Sequence, residues 1–173
     1  MITFQETYNT ITNSKIFQKF KQEHPNAKLS AGFFILDFLS NDTKKSLDYL
    51  DENSDKVFTF NLNNNKTTIH QDKLINPEAT NQPKLTPINP SPENLKIEVK
   101  ELKGIIGLEK LEQGIQAKLH KIIAVLQNHE NKLTWNLTCI LEQLIIIHAL
   151  VDAKTGNIIK FERKNMMDFI KKR

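Results

Sequence analysis

The chain has 173 residues, 39% of them hydrophobic and 25% charged, and a formal net charge of +4. Those proportions fit a folded protein of one ordinary or two small domains and exclude a disordered polyelectrolyte. The single cysteine, Cys139, excludes an intramolecular disulfide framework and any zinc site built on two cysteines, and five glycines allow no Walker or GxGxxG phosphate loop.

No apolar stretch approaches the ~20 residues of a membrane helix, so no membrane insertion is expected. The residues after Met1 lack a charged-then-apolar leader, which leads us to expect a cytoplasmic protein. Charge is unevenly spread. Residues 1–75 balance nine basic against nine acidic groups, whereas residues 95–173 carry fourteen against nine.

A helical stretch containing Ile11, Ile16, Phe17 and Phe20 ends at His24-Pro25-Asn26. Lys28-Leu29-Ser30 then opens a strand in which Phe33, Phe34, Ile35, Leu36 and Phe38 put apolar groups on both faces. Such a strand calls for cover on both sides, from sheet-to-sheet packing of two halves or from another subunit. Eight of the ten phenylalanines lie in this half, interleaved with Ile and Leu rather than Lys and Arg, so they read as core and not as a base-stacking surface.

Residues Asn41 to Asp55 read as an acidic insertion with a helical turn through Leu47 and Leu50, and Tyr49 as a protein-contact residue within it. Asp51-x-Asn53-x-Asp55 imitates a calcium loop, but Lys56 and Leu62 occupy the places of its glycine and its bidentate glutamate. Val57 to Leu62 is a further strand. Five of the six prolines fall between Asn76 and Pro92, which marks an extended linker.

Beyond the linker, Leu95 to Lys100 alternates as a strand does, and Gly104 and Gly107 bracket a turn. Leu108, Leu111, Ile115, Leu119, Ile122 and Leu126 recur at helical spacing and predict a helix ending near Asn128, with Gly114 inside it. Leu133–Leu141, Ile145–Val151 and Asn157–Glu162 predict three strands, the last two joined by the turn Asp152-Ala153-Lys154-Thr155-Gly156. Asn165 is placed to cap a short final helix through Ile170.

The N-terminal half reads as a diverged copy of the C-terminal one. Lys28-Leu29-Ser30 matches Lys132-Leu133-Thr134, and Val57–Leu62 matches Ile146–Val151, once the Asn41–Asp55 insertion is allowed for. The segment His148-Ala149-Leu150-Val151-Asp152-Ala153-Lys154-Thr155-Gly156-Asn157-Ile158-Ile159 resembles the closing hairpin of PepSY-type, cystatin-like domains. That resemblance implies a helix wrapped on an antiparallel sheet, repeated twice, and a binding or inhibitory module. The expected fold is therefore α+β, with two helix-on-sheet repeats at 1–75 and 95–173 and a proline-rich linker at 76–94.

Candidate chemistry is sparse. Glu112 and His120 share a face of the predicted helix and could touch a metal, although a solvated face is the plainer reading. His148 lies between apolar residues of its strand, opposite the polar positions Thr134, Asn136 and Thr138, which together outline a polar sheet face. Cys139 falls on the apolar face and reads as a small hydrophobe. No nucleophile-base constellation, cofactor motif or metal motif occurs, so the expected function is non-catalytic, without cofactor or metal. Its partner is expected to be a protein or peptide, a second copy of the chain included, bound at sheet edges, at the polar face or through Tyr49. The alternative is nucleic-acid binding through Lys160, Arg163, Lys164, Lys171, Lys172 and Arg173.

Overall fold

The computed structural model describes residues 3–73 and 85–165. One antiparallel sheet of eight strands organises them: β1 Lys28–Asp37, β2 Thr43–Asp51, β3 Lys56–Asn63, β4 Lys66–Lys73, β5 Leu119–His129, β6 Lys132–Leu141, β7 Ile145–Asp152 and β8 Ile158–Asn165. Their spatial order is β4-β3-β2-β1-β5-β6-β7-β8, so each half contributes a four-stranded meander and the two are hydrogen-bonded through β1 and β5. This corrects the expectation of two separate helix-on-sheet repeats. The halves do not pack sheet to sheet; they lie side by side in one sheet. The insertion expected at Asn41–Asp55 is β2, an integral strand. The strands opened by Lys28 and Lys132 are β1 and β6, which hold different places in the order.

Three helices, α1 Phe4–Thr12, α2 Lys15–Glu23 and α3 Leu102–Glu112, lie on one face of the sheet. The side chains of Thr3 and Ser14 cap α1 and α2 by accepting from the amides of Glu6 and Phe17, so the single helical stretch read from the sequence is two helices. Between these helices and the sheet runs one apolar core, with Trp135, Phe4, Phe34, Phe60 and Ile106 fully buried. Burying each such side chain contributes about 2–3 kcal/mol. Trp135 also donates its indole N–H to the Ile97 carbonyl at 2.8 Å, which holds the segment leading into α3 against β6.

The C-terminal half departs from the sequence reading at its start. Leu95–Lys100 is not a strand: Lys96 and Ile97 donate to the Ala153 carbonyl, and a 3₁₀ turn at Val99–Glu101 leads straight into α3. The predicted Leu108–Asn128 helix divides into the end of α3 and the whole of β5. Gly114 is not mid-helix. It has φ +69° and follows the C-cap, its amide bonded to Leu111 O and that of Ile115 to Lys110 O, the paired bonds of a Schellman stop. His120 consequently lies in β5, away from Glu112, and its Nε2 is 3.6 Å from Glu142. The continuous run Ile122–Leu126 is a central strand that sends Ile122, Ala124 and Leu126 into the core and Ile123 and Val125 to the other face.

The carboxylate of Glu98 reaches across the chain to accept from the amide of Phe4 at 2.6 Å, joining the first turn of α1 to the approach to α3. The final helix expected from Asn165 lies outside the described residues apart from Asn165 itself, which ends β8.

The turn between β6 and β7 carries backbone strain. Gln143 and Leu144 both have φ near +60°, where side chains with a Cβ are disfavoured, and Leu144 is 54% exposed. Leu144→Gly is expected to raise stability by about 1 kcal/mol, read as a higher urea midpoint, because it removes backbone strain at a side chain that is more than half exposed. An unchanged or lower midpoint would show the turn is relaxed with leucine in place.

Candidate functional site

On the face of the sheet opposite the helices, the register arranges the side chains in rows that cross the strands. One row runs Ser46, Phe33, Val125, Asn136, Leu150, Lys160 from β2 to β8. The next runs Lys44, Ile35, Ile123, Thr138, His148, Glu162, and a third Asp37, Lys121, Ile140, Ile146, Lys164. At ~4.8 Å between strands, the six-residue rows are ~24 Å long. Their centre is apolar and half-buried, from Phe33 and Ile35 through Ile123 and Val125 to Ile140 and Ile146. Their margins carry lysine.

Asn136, Thr138 and His148 are together on this face. Thr138 Oγ1 lies 3.3 Å from His148 Nδ1, a side-chain bond between directly opposed residues of β6 and β7. Thr134 shares their side of β6 by alternation but is fully buried, and its hydroxyl donates to the Lys132 carbonyl at 3.1 Å. Tyr49 is also out of reach. It is 4% exposed on the helix side, with the rings of Phe17 and Phe60 at 5.0 and 5.6 Å, and burial pushes its hydroxyl pKa well up. It is a core residue.

The basic residues of β8 divide between the two faces. Lys160 and Lys164 stand on the open face, beside Leu150 and Ile146, while Arg163 is opposite the core residue Ile147 on the helix side. Lys171, Lys172 and Arg173 lie outside the described residues. Lys160 Nζ is 3.0 Å from Glu162, and this bond holds the Glu162 carboxyl below its ordinary range. Asp37, bonded to Lys121 at 3.0 Å and to the amides of Ser40 and Leu39, is lowered to about 2. A shallow depression of about 370 Å³ opens on this face, lined by Gln127, Asn136, His148, Leu150, Lys160 and Glu162 among others.

Sequence reasoning marked Phe33 and Ile35 as a strand face in need of cover but took Ile122–Leu126 for helix, and so missed that they meet Val125 and Ile123 through the β1–β5 pairing. The one signal of that pairing was the pair of two-faced apolar runs, Phe33–Leu36 and Ile122–Leu126. Cys139 lies on the opposite face, in the core, where burial pushes its thiol up to about 12 and leaves it without thiolate character.

A second cavity of about 400 Å³ lies between α2 and the edge strand β4, lined by Ile16, Phe20, His24, Phe58, Ile69 and Gln71 among others. At its end His24 Nδ1 is 2.7 Å from Asp51, and that hydrogen bond lowers the Asp51 pKa. Ser54 donates its hydroxyl to the same carboxylate at 2.9 Å, so the three groups clamp the end of α2 to the β2–β3 turn. Among the described residues, no three His, Cys, Asp or Glu side chains are grouped to hold a metal ion, and no helix is long and apolar enough to cross a membrane.

No protein-family model and no curated protein matches the chain. A solved structure of a "putative lipoprotein" from Clostridium difficile 630 is similar in fold, with a TM-score of 0.54 at 13% sequence identity, covering 86% of this chain and 90% of that one. The likeness is one of fold, and it spans both halves together.

Proposed function

We propose that this protein is a non-catalytic binding module whose open sheet face receives a protein or peptide partner. The observation that carries this reading is the band of half-buried apolar side chains from Phe33 to Ile146 on the face opposite the helices. The edges are poorer candidates than the face. β4 presents Lys66, His70, Asp72 and Lys73, and β8 presents Lys160, Glu162, Arg163 and Lys164, charges of the kind that discourage strand addition.

Catalysis has little to build on. In the His24–Asp51 pair, Ser54 donates its hydroxyl hydrogen bond to Asp51 rather than to the imidazole, the reverse of what an activated nucleophile needs. Nucleic-acid binding is disfavoured by the division of Lys160 and Lys164 from Arg163 across the sheet, which spreads the basic charge over two surfaces.

The test is selection of a random-peptide display library on the intact protein, followed by an amide-exchange footprint of the enriched peptides. Protection is expected at β1 and β5–β7, with binding weakened at least tenfold in Ile123→Glu, whose fold is verified by circular dichroism. Peptides that protect the helices or an edge strand instead, or no enrichment at all, would overturn the reading.

A further inference from the structure

The charge on the open face specifies the partner further; this step rests on the binding reading above. We infer that the face takes an acidic amphipathic peptide segment, with apolar side chains on the central band and carboxylates directed to the lysines at its margins. The rows supply both halves of that recognition. Lys44 begins the row whose next members are Ile35 and Ile123, and Lys160 and Lys164 close the rows ending in Leu150 and Ile146. A peptide crossing the strands over ~24 Å has about seven extended residues, enough to place carboxylates at both margins with apolar groups between them.

Charge complementarity selects this occupant over the others. Two of the open-face carboxylates are already engaged, Asp37 by Lys121 and Glu162 by Lys160. Asp48, beyond the band on β2, is pushed by burial toward its neutral form and bonds the Thr59 hydroxyl. Lys44 has no carboxylate partner among the described residues, and Lys164 shares the single carboxylate of Glu162 with Lys160, which leaves the lysines of this margin in excess. A second copy would set like-charged margins against each other, which weakens face-to-face self-association. A nucleic acid would find phosphate contacts at the margins but a mostly aliphatic floor, with Phe33 and His148 as the rings of its three rows, a poor platform for stacked bases.

The experiment uses two nine-residue peptides, one alternating Leu and Glu and the other Leu and Lys, titrated into the full-length protein at 50 mM salt. The Glu peptide is expected to bind about tenfold tighter than the Lys peptide, and its advantage to shrink at 200 mM. Lys160→Glu/Lys164→Glu should abolish or invert that preference, and Ile123→Ser/Ile146→Ser should weaken both peptides. Equal affinity for the two peptides, with both lost in the Ile123→Ser/Ile146→Ser variant, would overturn the acidic partner and leave the open-face reading standing. Failure of both peptides, together with no library binder on this face, would overturn the two together. Binding of polyglutamate as tight as that of the Leu–Glu peptide, or displacement of that peptide by an RNA pool, would also overturn the acidic amphipathic partner.

Discussion

Gly32→Ala is expected to destabilise the fold by about 1 kcal/mol, seen as a lower urea midpoint with an unchanged slope. Gly32 lies on β1 between Leu47 of β2 and Leu126 of β5, on the helix side of the sheet. A Cβ there would stand 2.7 Å from Phe4 Cε2 and 3.0 Å from Cδ2, closer than carbon atoms tolerate. The ring has little freedom to withdraw. It is fully buried, stacked on Tyr8 at 6.0 Å and tilted against Phe34 at 6.3 Å, and its backbone amide is tied to Glu98. Alanine's advantage over glycine in a strand is about 0.5–1 kcal/mol, and overpacking of about 1–3 kcal/mol outweighs it. Phe4→Leu removes the clashing edge, so the double variant should be more stable than the sum of the single effects predicts, by about 1 kcal/mol. Strict additivity would show that the ring moves aside at no cost and that the close approach does not constrain β1.

The elements legible in the sequence are those whose pattern is local. β6 and β7 follow from alternation alone, and so does the shared face of Asn136, Thr138 and His148. The turn before β8 declared itself in Asp152 and Gly156: Gly156 has φ +79°, and the Asp152 carboxylate accepts from the amides of Lys154 and Thr155. β2 was within reach but obscured. Leu47 and Tyr49 alternate inward while Asp48 bonds Thr59 on the other face, yet the acids flanking this strand gave it the look of a solvated insertion.

β5 misled for a different reason. Leu108, Leu111, Ile115, Leu119, Ile122 and Leu126 keep helical spacing across a Schellman stop, and Leu108 and Leu111 are 67% and 66% exposed, so the pattern joined two exposed helix positions to core residues beyond the helix. What no local pattern contains is the β1–β5 pairing. It joins Gly32 to Leu126, far apart in the chain, and it both unites the sheet and assembles the apolar half of the candidate site. The polar half was therefore readable from one hairpin, whereas the apolar half waits on tertiary structure.

Lys110→Met should lower stability by about 2 kcal/mol and loosen the chain between α3 and β5. Lys110 projects inward from α3, is 9% exposed, and donates from Nζ to the carbonyls of Ile115 at 3.0 Å and Ala117 at 2.5 Å. Its ammonium thus extends the Schellman stop, whose own bonds reach only Leu111 and Lys110 O, and it fixes the path from Gly114 into β5. Methionine preserves most of the volume but leaves two carbonyls without that donor, at about 1–3 kcal/mol each where water cannot reach them. Relief from burying an ammonium offsets part of this loss, which is why the net expectation is near 2 rather than 4 kcal/mol. Lys100→Met, on the exposed turn before α3, provides the control and should change stability by less than about 0.5 kcal/mol. Amide exchange at residues 115–118 should rise in Lys110→Met more than exchange in β6. Equal midpoints for the two variants would show that water or backbone rearrangement replaces the ammonium, and that the α3–β5 connection is held by its backbone bonds alone.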